Sequence, residues 1–236
     1  MKITKYIAGL ITVLSTTWLN AQLNFTNNTV GGTNSSVAGG NLSKCVAVTA
    51  FIGGGTVNTN VAYGGTIGGG GGNWLTTDWS TVPGGLRAKP RSWGQLAYAS
   101  GGFNQEQGTA QFGLYVLRGI ISGAGNVELA LNGNATEHIT VPANGSFLFD
   151  IDMACRSTTV ANGVAGNCFH AKLLVENING ALNLQELANT SLLNHSTNLT
   201  ATYSVTNSNF KITGTGEANN TVYWVATVRA TELVMP

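Results

Sequence analysis

The sequence predicts an all-β protein: a short β-roll or solenoid of repeats, followed by an antiparallel β-sandwich of the jelly-roll kind. Three observations carry this. Glycine makes up 32 of 236 residues against 4 prolines, and each glycine inside a helix costs about 1 kcal/mol relative to alanine, so long helices are disfavoured. Pairs of glycines recur at near-constant spacing over the first third of the chain. Beyond them, short runs alternate apolar and polar residues between turn residues, which is the period of a strand.

Residues 1–21 read as a secretory signal peptide, with Lys2 and Lys5, an apolar stretch from Tyr6 to Leu19, and Leu19-Asn20-Ala21 as a cleavage box. The stretch is shorter than the roughly 20 residues a spanning helix needs, so a retained N-terminal anchor is the weaker reading and the only route to a membrane. Residues 22–90 form the glycine-rich repeat segment. Val30-Gly31-Gly32, Ala38-Gly39-Gly40, Ile52-Gly53-Gly54, Ile67-Gly68-Gly69 and Val82-Pro83-Gly84-Gly85 each set an apolar residue before glycines, and from Ala38 onward they lie 14 to 15 residues apart. Val46, Val61 and Leu75 mark apolar half-steps. A repeat this short cannot enclose a core alone, so stacked repeats share one, and Ile52 and Ile67 are expected to meet around a threefold axis.

Residues 91–236 form the sandwich. About eight strands are expected, among them Gln111–Arg118, Val127–Leu131, Ser146–Cys155, Phe169–Glu176 and Thr221–Ala230. In the last, Val222, Trp224, Ala226 and Val228 make one apolar face. Leu182 to Leu193 is the single stretch with helical character. Export allows disulfides, and of Cys45, Cys155 and Cys168 the last two end apolar runs on either side of a polar loop, so a Cys155–Cys168 bridge is expected, with Cys45 left single. The alternative is two free thiols, since Cys155 shares a face with Phe147 and Phe149 while Cys168 keeps step with His170.

With 9% charged residues and a net charge of +1, there is no basic stripe for nucleic acid. Catalytic patterns are absent: His138, His170 and His195 show no metal spacing, and no nucleophile elbow or complete dinucleotide loop occurs. Cys168 and His170 on one strand face read as structural. Asp150 and Asp152 also share a face, and could begin a calcium or acid–base site, but a solvated or inter-subunit polar face is the favoured reading. The expectation is therefore no enzyme, no metal and no cofactor. Trp74, Trp79 and Trp93, with Tyr63 and Tyr98, crowd the end of the repeats, and aromatic faces stack on sugar rings, so these tryptophans are the ligand-binding candidates; plugging the roll or cementing subunits is the alternative.

The run Ser80-Thr81-Val82-Pro83-Gly84-Gly85-Leu86-Arg87-Ala88-Lys89, then Trp93 to Phe103, Gly108 to Gln111 and Tyr115-Val116-Leu117-Arg118, resembles the junction and C-terminal domain of phage tail-fibre and related virion proteins, as do Ile212 to Ala218 and Trp224 to Arg229. The glycine repeats resemble the left-handed β-roll heads of trimeric adhesins. This resemblance implies a homotrimeric fibre that meets a surface receptor, often a glycan, on the virion or outside the cell. An export signal departs from the tail-fibre pattern, so an exported bacterial trimeric adhesin or matrix protein stays open beside a virion spike, with a secreted glycan-active enzyme as a remote third reading. Discrimination is expected in the polar loops Arg156–Asn167 and Asn177–Asn198, for a neutral hydroxylated ligand.

Overall fold

A computed structural model of the chain describes residues 27–158, 166–194, 196 and 198–236. The signal peptide or anchor at 1–21, His195 and the middle of the 156–167 loop lie outside the described residues.

The repeats form a β-solenoid of about five turns between residues 29 and 100. Each turn takes 15 residues and carries two short strands: β1 (Thr29–Val30), β2 (Ser36–Val37), β3 (Lys44–Cys45), β4 (Phe51–Ile52), β5 (Thr59–Asn60), β6 (Thr66–Ile67), β7 (Trp74–Leu75) and β8 (Thr81–Val82). Odd strands stack in parallel on one face and even strands on the other, with Val37, Ile52, Ile67 and Val82 in one register column. All four are buried, so Ile52 and Ile67 fill the core of a single chain and do not meet around an intermolecular axis. Of the expected half-steps, Leu75 points inward as read, but Val46 and Val61 do not: the inward residues there are Cys45 and Asn60, one position earlier, because the second residue of β3, β5 and β7 faces the core.

A glycine corner in each turn makes the stack possible. Gly40, Gly55, Gly70 and Gly85 all have φ near +90°, and a Cβ on Gly70 would lie 2.0 Å from the Gly85 carbonyl oxygen. Only glycine fits both conditions. Beside this column runs a ladder of buried amides: Asn58 Nδ2 donates to the carbonyls of Gly54 and Gly70, its Oδ1 accepts from the Asn73 amide N–H, and Asn73 Oδ1 accepts from Ala88 N–H at 2.9 Å. Each turn's corner carbonyls thus find donors inside the coil, as buried backbone requires.

Two further strands end the solenoid, β9 (Gly85–Leu86) and β10 (Leu96–Ser100). β10 pairs in parallel with β8 and antiparallel with β11 (Ala110–Ser122), so the even face runs on into the second region. There β12 (Asn126–Leu129), β13 (Ile139–Thr140), β14 (Gly145–Ser157), β15 (Gly166–Ile178), β16 (Ala181–Asn194), β17 (Ala201–Thr206), β18 (Asn209–Thr215) and β19 (Thr221–Val234) make two unequal layers. Long strands in the order β16-β15-β14-β19-β11 form the large sheet; β12, β13 and β17 flank β18 in a small one. Between them sit Phe147, Phe149, Ile151, Trp224 and Val228 against Leu129, Ile139, Phe210 and Ile212, with Phe149 and Phe210 stacked at 4.7 Å. Val222, Trp224, Ala226 and Val228 form a buried face as their alternation predicts.

Leu182 to Leu193 is strand β16, not helix. A two-residue Asn179-Gly180 turn, both with positive φ, returns the chain along β15, and two register shifts in that pairing break the alternation that would have marked a strand. The same pairing removes Asn177–Asn198 as a loop. The expected bridge is also absent: all three cysteines are free. Cys168 stands opposite Ala154 and Cys155 opposite Asn167, so the two thiols project from opposite faces of the β14–β15 pair. Cys45 is wholly buried in the solenoid and meets no axis.

Candidate functional site

One solenoid corner repeats the positions 63, 78 and 93 on successive turns, bonded rung to rung: Trp79 N–H donates to the Tyr63 carbonyl and Gly94 N–H to the Asp78 carbonyl, both at 2.9 Å. Since strands stack about 4.8 Å apart, Tyr63, Asp78 and Trp93 form a column of that pitch. Asp78 is held in it by an Oδ1 that accepts from Tyr63 N–H at 2.9 Å. Trp79, at φ +59°, lies over Gly64 of the preceding turn and meets Tyr63 edge-on at 5.1 Å.

Where this corner meets the small sheet, a cleft of about 250 Å³ opens. Thr76, Thr77, Asp78, Arg91, Ser92 and Trp93 line one side, and Glu137, His138 and Thr140 the other. The walls are latched by Thr140 N–H, which donates to Ser92 Oγ at 3.0 Å. Trp93 is half-buried, its ring body resting on the main core. His138 Nδ1 lies 3.0 Å from Glu128 Oε1, and Glu128 in turn accepts from Lys211 Nζ at 3.0 Å. The cleft therefore offers an aromatic surface, four hydroxyl side chains, two carboxylates, an imidazole and the Arg91 guanidinium, which is turned toward Glu232.

Behind it, Arg91 reaches a buried carboxylate. Glu232 accepts hydrogen bonds from Tyr115 Oη, from Gln95 Nε2 at 2.8 Å and from Gln111 Nε2 at 2.6 Å, and Arg91 lies 3.6 Å away. Burial lifts the Glu232 carboxyl above its usual range against the pull of those partners, and lowers the Arg91 guanidinium. Gln95 belongs to the end of the solenoid and Glu232 to β19, so this network ties the solenoid to the large sheet behind the cleft.

Of the sequence candidates, Trp93 lines this cleft and Trp79 stands at its corner with Tyr63. Trp74 is elsewhere. It projects from the odd-strand face, with Lys89 Nζ 4.7 Å from its ring, in a shallow groove with Lys44, Thr59 and Val61. Tyr98 is exposed on β10. Asp78 was within reach of sequence reasoning, since 63, 78 and 93 share the repeat period; Glu137 and His138 carried no local signal.

No family model matches the chain, and no curated protein sequence is similar to it. Among solved structures, the tailspike protein of Acinetobacter phage vB_ApiP_P1 is similar at a TM-score of 0.33 and 12% identity, over 90% of this chain and 51% of that one. A tailspike of Acinetobacter baumannii bacteriophage Fri1, described as a capsular polysaccharide depolymerase, is similar at 0.33 and 10%, over 91% and 47%. The tailspike of Acinetobacter baumannii phage AM24 gives 0.27 and 12%, over 89% and 48%. The chain spans about half the length of these proteins.

Proposed function

We propose that this chain is a non-catalytic surface-recognition protein, a spike- or fibre-like receptor-binding module at a virion surface or outside the cell, and that its junction cleft takes a neutral glycan. The observation that carries this is the convergence of Trp93 with Asp78, Glu137 and the hydroxyls of Thr76, Thr77, Ser92 and Thr140 in one cleft. An apolar ring face beside several acceptors and hydroxyls matches the two surfaces of a pyranose. Asp78 and Glu137 as hydrogen-bond acceptors suit sugar hydroxyls and disfavour anionic sugars.

The test is binding of the full chain to producer-related cells and to a panel of purified bacterial polysaccharides, with Trp93→Ala and Asp78→Asn. Both variants should lose at least about tenfold in affinity, as loss of one stacking or buried polar contact commonly does. Unchanged binding in both sinks the reading. Because Asp78 and Glu137 stand on the two sides of the cleft, a glycan-hydrolysing reading is kept beside it: release of reducing ends that stops in Asp78→Asn and Glu137→Gln would replace the non-catalytic one.

A homotrimer remains part of the proposal, on different grounds from those the repeats suggested. The outer face of the large sheet leaves Val116, Ile120, Tyr223 and Val225 between 48% and 61% exposed, with Ile120 and Tyr223 paired across β11 and β19. Exposed apolar side chains grouped on one sheet face, here around Arg118 and Thr227, favour subunit contact.

A further inference from the structure

We propose that His170, Asp150 and Asp152 form a binding site for a divalent transition metal of the zinc class on the outer face of β14 and β15. Asp152 pairs directly with His170 across the two strands, and Asp150 with Lys172. Strand alternation turns all of them away from the core. His170 Nδ1 lies 2.9 Å from Asp152 Oδ1 and 3.7 Å from Asp150 Oδ1, and the three donor atoms all fall within 4.8 Å of one another.

The spacing fits a metal. Four-coordinate zinc with bonds of about 2.0–2.1 Å sets neighbouring ligand atoms about 3.3 Å apart, and the two measured separations bracket that value. Donor type points the same way: an imidazole nitrogen with carboxylate oxygens suits zinc, cobalt or nickel, whereas calcium and magnesium take oxygen alone. Asp150 Oδ1 is closed off from solvent and has no hydrogen-bond donor. Its nearest cations, His170 at 3.7 Å and Arg229 at 3.6 Å, are beyond hydrogen-bond reach. A metal ion would supply the missing partner. Arg229 Nη2 meanwhile binds the other oxygen of Asp152, Oδ2, at 2.7 Å, which turns Oδ1 toward His170 in the manner of an outer-sphere support. Cys168, one cross-strand pair further along the same face, is outside the set.

The site owes nothing to the cleft and stands or falls separately. The test strips the full chain with a chelator, then titrates it with Zn²⁺ by calorimetry and with Co²⁺ by visible absorption. We expect saturable uptake of one ion per chain, weakened at least about 30-fold in His170→Gln, Asp152→Asn and Asp150→Asn and unchanged in Glu106→Gln, an exposed carboxylate elsewhere. Calcium at about 1 mM should not displace the ion. All three side chains face outward, so circular dichroism of the variants should match the parent. No saturable uptake, or uptake that persists in all three variants, overturns the site.

Discussion

At the level of single residues, burial decides reactivity and pH response. Cys155 faces the core, and burial pushes its thiol up to about 11; burial also raises Cys45. Cys168, half-exposed on the other side of the pair, should be the one cysteine in the described fold that alkylates at neutral pH, with all three labelling after denaturation. Mass mapping of the labelled peptides checks this, and a Cys155–Cys168 disulfide peptide would contradict it. Glu232 makes the second case. Its carboxyl is raised in the fold, so between the usual value near 4.5 and the folded value the native state binds the proton more tightly than the unfolded chain. Stability from this group is complete below that usual value and is lost as pH rises through the folded one. Glu232→Gln should flatten this fall in urea titrations across the acid range, and Glu232→Ala should cost about 3 kcal/mol by stranding Gln95, Gln111, Tyr115 and Arg91.

At the level of elements, the solenoid turn is a device for stacking backbone on backbone. Gly70 combines φ +83° with a neighbouring carbonyl that leaves no room for a Cβ, while its sequence neighbour Gly69 has nothing within 4 Å. Gly70→Ala should therefore destabilise by about 3 kcal/mol or more, and Gly69→Ala by less than about 0.5. Thermal melts of the two variants make the comparison, and equal effects would refute the ladder. Ile67→Ala should cost about 2–5 kcal/mol, because Ile67 is wholly buried within one chain. β16 shows how an element can mislead. Leu182 and Leu184 lie against the core, yet Leu187 and Leu192 are the residues skipped at the two register shifts and are exposed, so the leucines follow neither a clean period of two nor a helix. The Asn179-Gly180 turn ahead of it was the legible sign of a hairpin.

For the whole molecule, one sheet spans both regions, and the Thr140–Ser92 hydrogen bond joins the small sheet to the solenoid corner at the cleft. With few charges and a ligand bound through hydroxyls and an aromatic face, attachment should change less than about threefold between low and high salt, unlike binding to an anionic polymer. A steep salt dependence measured on cells would argue against a neutral glycan. Assembly is tested on the outer sheet face: light scattering should give three times the 24.4 kDa chain, and Ile120→Asp or Val225→Asp should yield a folded monomer. A parent protein that already runs as a monomer removes the trimer.

The sequence by itself determined the β class, the faces of regularly alternating strands such as β19 and a repeat of 14 to 15 residues, because these depend on neighbours two residues away or one turn away, and such short-range patterns are written into the order of side chains. The repeat spacing also sets Trp79 and Trp93 near one corner of successive turns, while leaving Trp74 on another face. Only the tertiary structure decided which distant strands lie side by side. The pairing of β11 with β19, across about a hundred residues of chain, builds the clamp around Glu232. The pairing of β14 with β15 sets His170 against Asp152 and parts Cys155 from Cys168. The packing of the small sheet brings Glu137 and His138 to the corner that holds Asp78. Those meetings depend on complementary surfaces and exact register between segments far apart in the chain, and no local period encodes them.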